Sequence, residues 1–170
     1  MIVSDASPLI NLAKAEKLYL LKELFGKVLI EEEVRRETIE RGKEEGAPDA
    51  LLIEKAFQEG WIEVLTIKKE KSIMGLHKGE NNSILLAKEQ KCLVLIDEED
   101  GREVARAMGL KVKGCLFVLK KAVENGLLSE ANAIRALDDM MADGFRISAR
   151  VYARFLAEVR KSLTDPSETG

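Results

Sequence analysis

The stretch "CLVLIDEEDGREVARAMG", residues 92–109, decides the fold. Cys92 to Ile96 is an apolar run without polar alternation, the pattern of a strand buried on both faces, and such strands belong to parallel sheets covered by helices on either side. Asp97 ends the run, and "DGREVARAMG" then reads as a helix closed by Gly109. A strand that ends on an acid and feeds a helix marks the carboxyl edge of an α/β unit, where ligands collect in open parallel sheets.

The same arrangement opens the chain. In "MIVSDASPLINLAK" (1–14) a short strand over Met1 to Ser4 ends at Asp5, and Pro8 suits the first turn of a helix whose buried face carries Leu9, Ile10, Leu12 and Ala13. "EKLYLLKELFG" (16–26) is a helix closed by Gly26, and "KVLI" (27–30) a second strand. "EEEVRRETIERGKEEG" (31–46) reads as one helix with three acids in its first turn, "PDALLIEKAFQEG" (48–60) as another begun by Pro48, and "WIEVLTI" (61–67) as a strand. Beyond a polar connection, "GENNSILLAKEQ" (79–90) predicts an amphipathic helix that leads into the 92–96 strand. "LKVKG" (110–114) follows as a short edge strand, with helices over 115–126, 129–144 and 148–163. Strands alternating with helices imply an α/β fold with a parallel sheet, because parallel neighbours need a crossover connection. One domain over 1–163 and a flexible tail over 164–170 are expected.

Composition narrows the function. A net charge of −3 excludes a bulk polycation that grips nucleic acid by its overall field, although a local basic patch stays open. Apolar residues at 46% exclude disorder as the main state. Cys92 and Cys115 have no CxxC spacing and sit in apolar runs, so they read as small hydrophobes in a reducing cytoplasm. No apolar run is long enough to span a bilayer and no signal-peptide order is present, which predicts a cytoplasmic protein without membrane contact. Phosphate loops with GK[ST], dinucleotide GxGxxG motifs and nucleophile elbows are absent, excluding the common α/β enzyme signatures.

The acids remain. Asp5 and Asp97 end two strands, Glu80 opens the helix leading into the Asp97 strand, and Glu37 lies on the helix leaving the second strand. Each has a plain reading: Asp5 as a helix cap, Glu80 as a partner of the helix dipole, Glu37 as a solvated surface acid. As a set they repel one another unless neutralised, and a hard divalent cation such as Mg²⁺ or Mn²⁺ is the usual neutraliser. Arg146, Arg150 and Arg154 recur at spacings of four, so one helical stripe could meet phosphates, while the plain reading is a solvated face paired to acids. His77, the single histidine, reads as an exposed loop residue, and Tyr152 and Phe155 as packing positions.

"IVSDASPLINLAK", "VLIEEEVRRE", "HKGENNSILLAKE", "LVLIDEEDGREVARAMGLKVKGCLFVLKKAVENG" and "DGFRISARVY" together resemble the PIN-domain family over nearly the whole chain. More narrowly, they resemble a prokaryotic PIN-like subfamily of largely uncharacterised function, related to the VapC-type toxin ribonucleases. The resemblance implies a three-layer α/β/α fold with a parallel sheet of about five strands flanked by helices. It also implies Mg²⁺- or Mn²⁺-dependent hydrolysis of phosphodiester bonds, typically of RNA, and a toxin's place in a toxin-antitoxin pair with an antitoxin partner and a homodimer. Residue by residue, Asp5, Glu37, Glu80 and Asp97 match the family's acids. Asp5, Glu80 and Asp97 would hold the metal, Asp100 would be an outer ligand, and Glu37 an outer ligand or general base. Glu98 follows Asp97 where relatives pair two aspartates, and Cys115 stands where many carry threonine, leaving that turn without a hydroxyl. A catalytically silent module that binds nucleic acid or a protein is the alternative; receiver-type and Toprim-like domains are disfavoured by the placing of the acids.

Overall fold

The computed structural model describes residues 1–68 and 75–161. Five strands, β1 Ile2–Ser4, β2 Val28–Ile30, β3 Ile62–Val64, β4 Val94–Leu95 and β5 Val112–Lys113, form one sheet in the order β3-β2-β1-β4-β5. Every neighbouring pair is parallel. Around it lie α1 Ala6–Lys14, α2 Tyr19–Phe25, α3 (32–44), α4 Pro48–Gln58, α5 Lys78–Gln90, α6 Glu99–Ala107, α7 Cys115–Glu124, α8 Glu130–Ala142 and α9 Ala149–Lys161.

The central strands β1, β2 and β4 are buried on both faces, which is why they read as apolar runs, while the edge strands β3 and β5 are partly exposed. Ile2, Val28, Ile30, Ile62 and Leu95 turn to one layer, where they meet side chains of α1 to α4 and α7 to α9. Val3, Leu29, Val94 and Ile96 alternate to the other, against Ile84, Leu86 and Ala87 of α5 and Ala105 of α6. Leu9, Leu12, Leu20, Leu21 and Leu119 are fully buried, each worth about 1.5–3 kcal/mol relative to exposure. Phe155 lies in this core, and Tyr152 packs against it while its hydroxyl donates to Asp138 at 2.8 Å, so both serve this domain's own packing.

Three local expectations change. The 31–46 helix is interrupted by a π-helical segment, Arg36–Arg41, between α-helical turns at Glu32–Arg35 and Gly42–Glu44. The predicted amphipathic helix at 79–90 instead buries its polar first turns, Gly79 to Ser83, because their polar groups find partners. Asn81 donates to Asn82 at 3.0 Å, and Asn82 donates to the buried Glu31 carboxylate at 3.0 Å. The arginine stripe does not exist as one helical face. Gly144, at φ 102, follows α8, and Ser148 caps α9 by accepting from the Val151 amide at 3.2 Å, leaving Arg146 in the connection before the helix.

The order of strands reverses between β1 and β4, whose ends are tied by the Asp5 amide donating to the Leu95 carbonyl at 3.0 Å. This switch point brings Asp5 and the 97–100 acids together from opposite halves of the sequence. Among the described residues no helix is long and apolar enough to cross a membrane. The tail expected over 164–170 lies outside the described residues.

Candidate metal centre

Asp5 sits at the N-cap position of α1 yet makes no capping hydrogen bond with its side chain, so the plain reading fails at its main point. The carboxylate is 3% exposed and meets the Ser83 hydroxyl only at 3.5 Å. Burial pushes its pKa from 3.8 up to about 7; the Ala6 amide pulls it back, and the charges of Glu98, Glu80 and Glu37 push it further up.

Glu80 is the third residue of α5, and here the plain reading and the functional one coexist. One oxygen accepts from the His77 amide at 3.3 Å, closing the helix start, and His77 itself is exposed. The other lies so near the backbone of α6 that a Cβ on Gly101 would stand 2.9 Å from it. Burial raises the pKa of Glu80 above 4.5, the His77 bond opposes this, and Glu98 and Asp100 add to the rise.

Glu37 lies in the π-helical segment, a local widening that recurs at functional sites. It is half-buried, not the solvated acid expected from spacing alone. A Cβ placed on Gly79 would be 3.1 Å from its Oε2 and 3.5 Å from Asp5 Oδ1, so the two carboxylates face the same point of α5.

Asp97, expected to bind metal directly, lies outside the trio of converging acids and has both oxygens hydrogen-bonded. Its Oδ1 accepts from the Cys115 amide at 2.8 Å; Oδ2 accepts from Asn11 at 3.1 Å and from the Cys115 thiol at 3.0 Å. The carboxylate thus anchors the first residue of α7 to the end of β4, and the thiol supplies the donor that the missing hydroxyl left open. Burial raises its pKa, and these three bonds oppose the rise. A Cβ on Gly114 would lie 2.6 Å from Asp97 Oδ1, so a side chain there would have to displace that carboxylate.

The acid that joins Asp5 and Glu80 is Glu98. Asp5, Glu80 and Glu98 each offer an oxygen within 4.8 Å of the others. Glu98 also accepts from Ser7, whose hydroxyl bonds this acid and not Asp5. Asp100 is exposed and outside that trio. Glu98 was legible only as the second acid of an expected pair, and Asn11 carried no signal, since nothing in its local pattern distinguishes it from a helix-surface residue.

This donor set fits a hard cation. It is all oxygen, it is partly buried, and burial together with the nearby charge of Glu98 raises the pKa values of Asp5 and Glu80, an arrangement that a divalent ion of the Mg²⁺ or Mn²⁺ kind relieves. Beside it opens a cleft of about 1080 Å³ that shares Asp97 and Glu98 and includes Arg102, Lys113, Phe117 and Arg146 in its lining. Arg154 lines the cleft too, 3.9 Å from Glu158, whereas Arg150 lies outside it.

A parallel sheet whose switch point holds carboxylates in place of a phosphate-binding glycine loop defines an acid-cluster α/β protein suited to hard-cation chemistry. The model of the DUF3368 family, a PIN domain, matches residues 1–161, and the chain belongs to that family. Its fold is similar to that of a solved structure, a PilT N-terminus domain protein, SSO1118, from the hyperthermophilic archaeon Sulfolobus solfataricus P2. The two share 17% identity with a TM-score of 0.54, over 72% of this chain and 93% of that one. No curated protein matches the chain. PIN domains are generally metal-dependent nucleases, and this member carries an acidic cluster.

Proposed function

We propose that this protein is a metal-dependent endonuclease that hydrolyses phosphodiester bonds of RNA. The observation that carries the reading is the convergence of Asp5, Glu80 and Glu98 within 4.8 Å beside a cleft that Glu98 also lines and that carries several cations. Membership of the PIN-domain family supports the reaction class.

Asp5, Glu80 and Glu98 would hold the Mg²⁺ or Mn²⁺. When bound, such an ion makes water nucleophilic near neutral pH and stabilises charge on a leaving oxygen. Glu37, beside Asp5 but outside the trio, would take a proton from the attacking water. Asp97 acts through position: by gripping the Cys115 amide it fixes the turn from which Glu98 projects. Arg102 supports the same turn by donating to the Ile96 carbonyl at 3.0 Å.

The test is cleavage of structured and single-stranded RNA in Mn²⁺ and in EDTA, comparing wild type with Asp5→Asn and Glu98→Gln. Cleavage is expected in Mn²⁺ with wild type alone. Equal cleavage in EDTA, or by a clean preparation of Asp5→Asn, overturns the mechanism.

A further inference from the structure

We propose that Phe117, in the cleft beside the acid cluster, is the platform for one base of the substrate, with Lys113 and Arg146 as contacts for the flanking phosphates. The inference rests on the nucleic-acid reading above and goes beyond it in naming the side chains that hold a base and its flanking phosphates.

Charge pairing singles out these two cations. Among the cleft's basic residues, Arg106 pairs with Glu99 at 2.8 Å and Arg102 with Glu99 at 3.8 Å. Lys120 and Arg154 face Glu158 at 3.3 and 3.9 Å. Lys113 and Arg146 have no carboxylate partner among the described residues, and both are exposed on the cleft wall. Their charge is therefore available to an anion.

Phe117 supplies the second element. It lies half-buried in the first turn of α7 and lines the same cleft, with the Lys113 ammonium 5.1 Å from its ring centroid and Lys121 at 5.9 Å. A surface ammonium holds an aromatic ring weakly, and a stacked base binds it more strongly, so a base can take the ring while Lys113 swings to a phosphate. A duplex hides the faces of its bases, and an aromatic platform flanked by cations accordingly selects unpaired ones. The cleft volume of about 1080 Å³ exceeds a typical small-molecule pocket of about 300–1,000 Å³, and Glu98 belongs both to its lining and to the acid trio.

The experiment reads binding without cleavage, by fluorescence anisotropy in EDTA at low salt. The probes are a labelled octamer of adenylate, an abasic octamer with the same number of phosphates, and a duplex of equal length. Wild type should bind the single-stranded octamer most tightly. Phe117→Leu should weaken that binding about tenfold while leaving the abasic octamer unchanged, and Phe117→Trp should restore it. Lys113→Gln and Arg146→Gln should each reduce the slope of log K against log salt by about 0.7. An equal effect of Phe117→Leu on both octamers, duplex bound as well as single strand, or unaltered salt slopes overturns the proposal. Cleavage in Mn²⁺ is measured separately. Base-dependent binding without cleavage leaves the subsite standing and removes the nuclease, whereas cleavage without base dependence removes the subsite alone.

Discussion

Replacing Asp5 by Asn should make the metal-free protein more stable while destroying its response to metal. The wild-type carboxyl has a pKa of about 7 when folded and an ordinary value of 3.8, so between those limits the unfolded chain gives up a proton that the folded one keeps. Stability therefore falls as pH rises from about 4 to 7 and levels off above, since the native state binds more protons across that window. A shift of about three units at 1.36 kcal/mol each amounts to on the order of 4 kcal/mol of destabilisation at pH 8. Asn cannot ionise, preserves the shape, and offers an amide to the neighbouring carboxylates. Its gain should grow from almost nothing at pH 3 to on the order of 4 kcal/mol above pH 7, or roughly 10 °C in Tm for a chain of this size. Thermal unfolding in EDTA at pH 5 and pH 8 measures the difference. Adding Mn²⁺ at about a hundred times its Kd should then stabilise wild type by about 2.7 kcal/mol and leave Asp5→Asn unmoved. An Asn variant no more stable than wild type at pH 8, or stabilised equally at both pH values, would refute the account of a strained, cation-seeking carboxylate.

Three further outcomes follow from the same geometry. Glu98→Gln and Asp97→Asn should divide: the first should abolish cleavage and the Mn²⁺-induced rise in Tm with little loss of stability. The second should cost about 1–3 kcal/mol because it disturbs the charged acceptor for Cys115 and Asn11, and urea titration that finds the costs reversed would reassign the two acids. Gly114→Ala sets a methyl group 2.6 Å from Asp97 Oδ1 and should destabilise by about 1–3 kcal/mol in urea; a neutral result would show that the α7 turn is free to move. Because burial holds the pKa values of Asp5 and Glu80 up, Mn²⁺ binding should release protons and tighten between pH 6 and 8. Calorimetry in buffers of different ionisation enthalpy should detect that release, and pH-independent affinity would count against these ligands.

Much of this protein is legible in its sequence because the signals are local. Unbroken apolar runs such as residues 92–96 announce strands buried on both faces, Pro8 and Pro48 mark helix starts, and Gly26 and Gly109 mark helix ends. Asp5 and the 97–98 acids were visible as residues that break an apolar pattern where ligands gather. Their partition was not. Whether Asp97 or Glu98 joins Asp5 depends on what else reaches Asp97, and Asn11 and Cys115 arrive from helices 86 and 18 residues away. Glu37 likewise faces Asp5 from within a π-helical segment that its sequence reads as ordinary helix. The arginines show the opposite case, where a spacing of four suggested one stripe and the cap at Ser148 broke it, leaving Arg146 in the cleft and Arg150 outside. Sequence alone determined the element order, the parallel sheet and the presence of acids at its edge, since strand burial and helix ends are set by neighbours a few residues apart. Only the tertiary structure decided which oxygens converge, because a carboxylate's role is set by the donors and charges that the fold brings within a few ångströms of it.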